Sequence, residues 1–207
     1  MAMPAASPRL WTRAEFDALP EDGRRYELID GQLYVNGVEV PANDLAALPP
    51  EMTPAPSWRH ATAVQLIFTL LDRYLEAHRV AQARLAPTDI DFNIRRVVQP
   101  DVFVVPLVAG RAPRSWDEAG RLLLAVEVLS PSTARLDRVR KRRVYQDAGV
   151  PEYWIVDVDA RVVERWRPGE DRAEILDDRL VWRPEGVGVG EELVIELDRY
   201  FAEVIGE

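Results

Sequence analysis

Between Trp58 and about His78 the apolar residues Val64, Ile67, Leu70, Leu71, Tyr74 and Leu75 recur at helical spacing, which predicts one long amphipathic helix. Downstream the period changes to that of strands, over 80–85, 88–94, 97–105 and 121–129. The last is almost continuously apolar from Leu122 to Leu129, as expected of a strand covered on both faces, and Glu127 is the one charged residue of that stretch. Ser130-Pro131-Ser132-Thr133 ends that strand and can start a helix over about 134–148, which Gly149 closes. Further strands follow at 153–158, 162–167, 174–176 and 180–182, with a short helix at 197–205. Upstream, Thr12 with Glu15 reads as a capping box on a short helix, and the residues around Asp30-Gly31 read as a β-hairpin. Residues 41–57 carry five prolines and little pattern, and read as a surface loop. Helix, strands, one crossover helix and more strands argue for an α/β sandwich around a mixed sheet.

A chain of 207 residues suits one domain, with a core over about 11–159 and a strand extension over 160–207. No apolar run is long enough to span a bilayer and no secretory signal opens the chain, so a cytoplasmic protein is expected. Cysteine is absent, which excludes disulfides, thiolate nucleophiles and sulfur-ligated zinc. The net charge of −9 argues against nucleic acid held by bulk electrostatics. Charge is unevenly placed, however: Arg135, Arg138, Arg140, Lys141, Arg142 and Arg143 fall close together and offer a local basic face. There is no Gly-x-Ser-x-Gly elbow, P-loop or dinucleotide fingerprint, so neither serine hydrolase chemistry nor a nucleotide cofactor has support.

Three residues stand out chemically. Lys141 is the only lysine in a chain whose other formally basic side chains are arginines. A compact cation able to lose its proton suits work on a phosphate oxygen or a water, where a guanidinium does not. Glu127 lies within the most apolar strand, and a buried carboxylate is costly unless paired or bound to a cation. Asp101 poses the same question after Pro100, at the head of an apolar strand. Two such acids on neighbouring strands could form an oxygen-rich site suited to Mg²⁺ or Mn²⁺. On the following helix Asp137, Lys141 and Tyr145 share a stripe; the plain alternatives are a surface ion pair and a packed tyrosine.

Pro100-Asp101, Glu127-Val128-Leu129 and Lys141 resemble the signature of PD-(D/E)XK nucleases. With Arg25-Tyr26-Glu27-Leu28-Ile29-Asp30-Gly31, Val126 to Thr133, and Ala148 to Asp157, the chain resembles the Uma-type restriction endonuclease family of that superfamily. The resemblance implies a restriction-endonuclease-like core, a mixed β-sheet flanked by helices with additional antiparallel strands. It implies that Asp101, Glu127 and the carbonyl of Val128 hold Mg²⁺ or Mn²⁺, that Lys141 serves the attacking water, and that Glu27 assists. The lysine expected two residues after Glu127 is Leu129 here, and Lys141 takes its place from the helix. DNA is the implied substrate, with Arg138 and Arg142 as candidate backbone contacts and a homodimer as the expected assembly. His60 and the pair Asp89 and Asp91 are weaker candidates, a helix-end histidine and a solvent-facing row. Two alternatives stay open: a silent nucleic-acid or protein binding module, and a hydrolase of small phosphorylated molecules.

Overall fold

The computed structural model describes residues 9–41 and 57–207, so the loop expected over 41–57 falls, apart from its two end residues, outside the described residues. The capping box at Thr12 and Glu15 opens α1 (Arg13–Asp17). The Asp-Gly hairpin forms between β1 (Tyr26–Ile29) and β2 (Gln32–Val35), with positive φ at Asp30 and Gly31 as its tight turn requires. Asn36-Gly37 repeats that turn and adds β3 (Val38–Val40), a strand the sequence reading lacks although Asn-Gly carries the same signal. The long helix is present as α2 (Trp58–His78), capped by Ser57.

The strand expected over 97–105 is two strands. β6 (Arg96–Val98) joins β5 (Ile90–Asn93) and β1 in a five-stranded sheet ordered β3-β2-β1-β6-β5. β7 (Val102–Pro106) belongs to a six-stranded sheet with β4 (Ala81–Leu85) and β8 (Leu124–Val128). Pro100 has no N–H for a ladder and separates the two, so Asp101 stands where the chain passes from one sheet to the other. The larger sheet continues through β9 (Tyr153–Asp157), β10 (Val162–Trp166) and β11 (Glu174–Leu176), in the order β11-β10-β9-β8-β7-β4. Its one parallel pair is β8 with β9, joined by the crossover helix. Three elements complete the described chain: α3 (Trp116–Ala119), a two-stranded sheet of β12 (Arg179–Trp182) with β13 (Leu193–Glu196), and α5 (Leu197–Ile205). Of these, α3 and β13 have no counterpart in the sequence reading. Among the described residues no helix is long and apolar enough to cross a membrane.

Alternation sorts the large sheet into two cores. Val102, Val104, Val126, Val128, Trp154 and Val156 face α2 and α5. Phe103, Val105, Ala125, Tyr153 and Ile155 face the other way, toward Val144 and Tyr145 of the crossover helix. By the same parity Asp101 and Glu127 point to that second side. The crossover helix is not uniform. Leu136–Lys141 is π-helical, with the Arg142 N–H donating to the Asp137 carbonyl, and only Arg142–Asp147 is regular α4. The wider turn falls where Asp137 and Lys141 are buried, and such π-helical turns are frequent at functional sites.

Gly37 anchors the small sheet to the start of this helix. At φ +82°, a Cβ there would sit 2.6 Å from Cγ2 of Thr133. Gly37→Ala is therefore expected to destabilise the fold by about 2 to 5 kcal/mol, summing the left-handed backbone cost and the clash; equilibrium urea unfolding measures it.

Candidate active site

Val102 pairs with Val126 in the β7–β8 ladder, so one residue further out Asp101 faces Glu127. Asp101 is held by the backbone, its Oδ2 accepting from the Val128 N–H at 2.9 Å. Glu127 is buried, and the chain that covers it brings a cation: Lys141 Nζ lies 2.8 Å from Glu127 Oε1 and 2.8 Å from Glu27 Oε1. Tyr145, on the same helical stripe, donates its hydroxyl to Glu127 Oε1 at 3.1 Å. Tyr145 thus combines the core packing expected of it with a bond to the strand acid. Glu27 is buried, and so are Asp137 and Lys141, which are therefore not the surface ion pair of the plain alternative. Glu27 also accepts from the Gln99 N–H at 2.8 Å, just past β6 and two residues before Asp101.

Arg25 completes the cluster. Its Nη1 is 2.9 Å from Asp101 Oδ1 and its Nη2 is 3.3 Å from Glu127 Oε2, while Nη2 also donates to the Gln99 carbonyl. Sequence reasoning gave Arg25 no role, though its alternation with Glu27 leading into β1 puts both side chains on one face. His60 lies at the edge, Nε2 3.8 Å from Asp101 Oδ2. The remaining candidates are placed elsewhere. Arg138 is paired with Asp157 at 2.8 Å and Glu164 at 2.6 Å. Arg142 lies over the Trp166 ring, 4.6 Å from its centre. Asp89 accepts from Gln99 Nε2, and Asp91 pairs with Arg13.

The electrostatics follow from counting charges in a dry place. Among the described residues Glu27, Asp101, Glu127 and Asp137 share two permanent cations, Arg25 and Lys141, with the His60 ring at the edge, so the full set of acids ionises only with a surplus of negative charge. Burial and the neighbouring Asp101 push Glu127 up to about 8 against the pull of Lys141 and Arg25. Burial likewise pushes Asp137 up to about 6. For Glu27 burial is outweighed by Arg25 and Lys141, and its carboxyl is held below the ordinary range. Lys141 is desolvated and repelled by Arg25, yet Glu127, Glu27 and Asp137 hold its ammonium above the ordinary lysine range. It acts here as a fixed charge and not as a ready base.

Among the described residues no three His, Asp or Glu side chains converge in a geometry ready to hold a metal ion. The donor chemistry nonetheless fits a divalent ion of the Mg²⁺ kind. Carboxylate oxygens from facing strand positions share one cation, the cluster is short of positive charge, and Asp137 Oδ1 is buried without a hydrogen-bond partner. Val128, whose carbonyl the resemblance assigns to the metal, lies beside the pair and donates its N–H to Asp101 Oδ2.

Asp137 provides a direct check on the charge surplus. Its folded pKa lies above that of an unfolded aspartate, so its stabilising contribution is complete below about pH 3.8 and is lost as pH rises through about 6. Asp137→Asn keeps the shape and never ionises. Its melting temperature should match wild type near pH 4 and exceed it at pH 7, by a margin worth up to about 3 kcal/mol.

Residues 50–196 match the family described as "Uma2: Putative restriction endonuclease". The fold is similar to a solved structure titled a putative nuclease belonging to DUF820, from Anabaena variabilis. That likeness has a TM-score of 0.69 at 19% identity and covers 93% of this chain and 98% of the other. No curated protein sequence matches the chain.

Proposed function

This chain belongs to the Uma2 putative restriction endonuclease family, and from that premise we propose that it is a metal-dependent endonuclease hydrolysing DNA phosphodiester bonds. The observation that carries the reading is the pair of facing acids, Asp101 and Glu127, in a buried cluster short of positive charge and served by the chain's only lysine. A divalent ion held by these two acids would activate water for attack and offset charge on the phosphate. The protein's own groups prepare that place. The Val128 N–H and the β7–β8 ladder fix Asp101, while Tyr145 and Lys141 fix Glu127 Oε1 and leave Oε2 directed toward Arg25. Lys141 holds a permanent positive charge beside the reacting region and stabilises negative charge developing there. Glu27 orients Lys141 from below, a positioning role.

One observation favours the second reading, a binding module without activity: Arg25 already bridges Asp101 and Glu127. Nicking of supercoiled plasmid separates the two. The nuclease reading expects open-circular product with Mg²⁺ or Mn²⁺, none with EDTA, and none from Asp101→Asn. Intact plasmid under all conditions, with wild type folded and metal in excess, would leave the binding module.

A further inference from the structure

Arg25 meets Asp101 and Glu127 at the oxygens through which they would hold an ion, and its manner of doing so is unusual for an arginine. A guanidinium ordinarily grips one carboxylate with two parallel N–H bonds. Here it divides itself among Asp101 Oδ1 at 2.9 Å, Glu127 Oε2 at 3.3 Å and the Gln99 carbonyl, oxygens from three successive parts of the site. Its Nε is buried without a hydrogen-bond partner, the nearest acid there being Glu27 Oε2 at 3.6 Å. Oxygens of two acids and one carbonyl surround the guanidinium, and with Nε unpartnered its planar fork fits them incompletely.

Position adds a second argument. Lys141 is 1% exposed and forms the floor of the cluster, whereas the Arg25 side chain is 25% exposed and lies on the side open to water. Arginine does not vacate a site by losing its proton, so it must swing out to make room. Its exposed side gives it the path.

We propose that Arg25 is a resident stand-in for the divalent ion: its guanidinium closes the site in the metal-free protein, and ion and guanidinium exclude one another from the same oxygens. The inference rests on the metal-dependent reading above. It gives the arginine a regulatory role, since a site closed nine-tenths of the time binds its ion about tenfold more weakly than an open one. It also explains how four acids can be assembled in the fold before metal arrives.

The test is Mn²⁺ calorimetry of wild type, Arg25→Met and Glu127→Gln. Arg25→Met is expected to bind Mn²⁺ about tenfold or more tightly than wild type, because the competitor is gone while the acids remain. Equal or weaker binding by a folded Arg25→Met, with wild type binding normally through Glu127, overturns the stand-in and leaves the metal-dependent reading intact. Absence of binding by both wild type and Arg25→Met overturns both. Should Arg25→Met fail to fold, the wild-type protein answers through its arginine side-chain NMR signals during a Mg²⁺ titration. One protected guanidinium signal should move to the solvent-exposed position and gain exchange with water; a protected signal unchanged at saturating Mg²⁺ overturns the proposal.

Discussion

Replacing Lys141 with methionine is expected to cost about 3 to 5 kcal/mol at neutral pH, the scale seen when one partner of a buried ion pair is removed. Methionine preserves much of the volume, so the loss is electrostatic. Glu27, Glu127 and Asp137 would be left around an apolar side chain, with Arg25 reaching the first two but touching Asp137 through no hydrogen bond. For a domain whose whole stability is about 5 to 15 kcal/mol, this is a large fraction, and urea unfolding at pH 7 reads it directly. Lys141→Arg adds a distinction. It keeps the charge but forces a larger planar group into a site with 1% exposure, so overpacking of about 1 to 3 kcal/mol is expected. Plasmid nicking should fall below detection in both variants, because in neither does a compact ammonium sit between Glu27 and Glu127. An Lys141→Arg protein that cut DNA like wild type would remove the reason for a lone lysine at this position.

Glu127→Gln should have the opposite profile, with activity lost and the fold kept. The amide oxygen can still accept from Tyr145 and Lys141, and a carboxyl pushed up to about 8 carries little charge at pH 7 for the amide to remove. Stability within about 1 kcal/mol of wild type, or above it, is therefore expected. Metal affinity should fall by more than about 100-fold, since even outer-shell partners of a metal site commonly account for 10- to 100-fold. Nicking should fall by about 100-fold or more, the scale on which one transition-state stabilising group acts. The contrast with Lys141→Met is the informative part: the lysine is needed for folding and chemistry, the strand glutamate for chemistry alone. A Glu127→Gln protein that unfolds as readily as Lys141→Met would mean that Glu127 is a structural partner first.

Much of the site could be read from residue identity because burying charge is expensive and sequence patterns expose the exceptions. Glu127 announced itself inside an apolar strand, and Lys141 as the one cation not replaced by arginine. What pattern alone did not supply was the partner of each. Residues 97–105 read as one strand, since apolar periodicity does not register a change of sheet at Pro100; yet that change is what seats Asp101 opposite Glu127. The helix over 134–148 was legible, but its π-helical first part was not, because a widened turn arises from tertiary fit. Asn36-Gly37 carries the same turn signal as Asp30-Gly31, and β3 is legible from it. Arg25 was visible within the motif, but its reach to Asp101 and Glu127 spans 76 and 102 residues of sequence, and only the meeting of the two sheets creates it. Arg138, set in the most basic stretch, proves committed to Asp157 and Glu164, which shows why a run of charge is a weak guide to which arginines remain available.

The most direct measurement is anomalous diffraction from a crystal soaked in Mn²⁺. One strong peak is expected between the carboxylates of Asp101 and Glu127, with Lys141 unmoved beneath it and the Arg25 guanidinium displaced toward solvent. A soaked crystal with Arg25 still bridging the two acids and no peak between them, at a Mn²⁺ concentration that supports nicking, would contradict it.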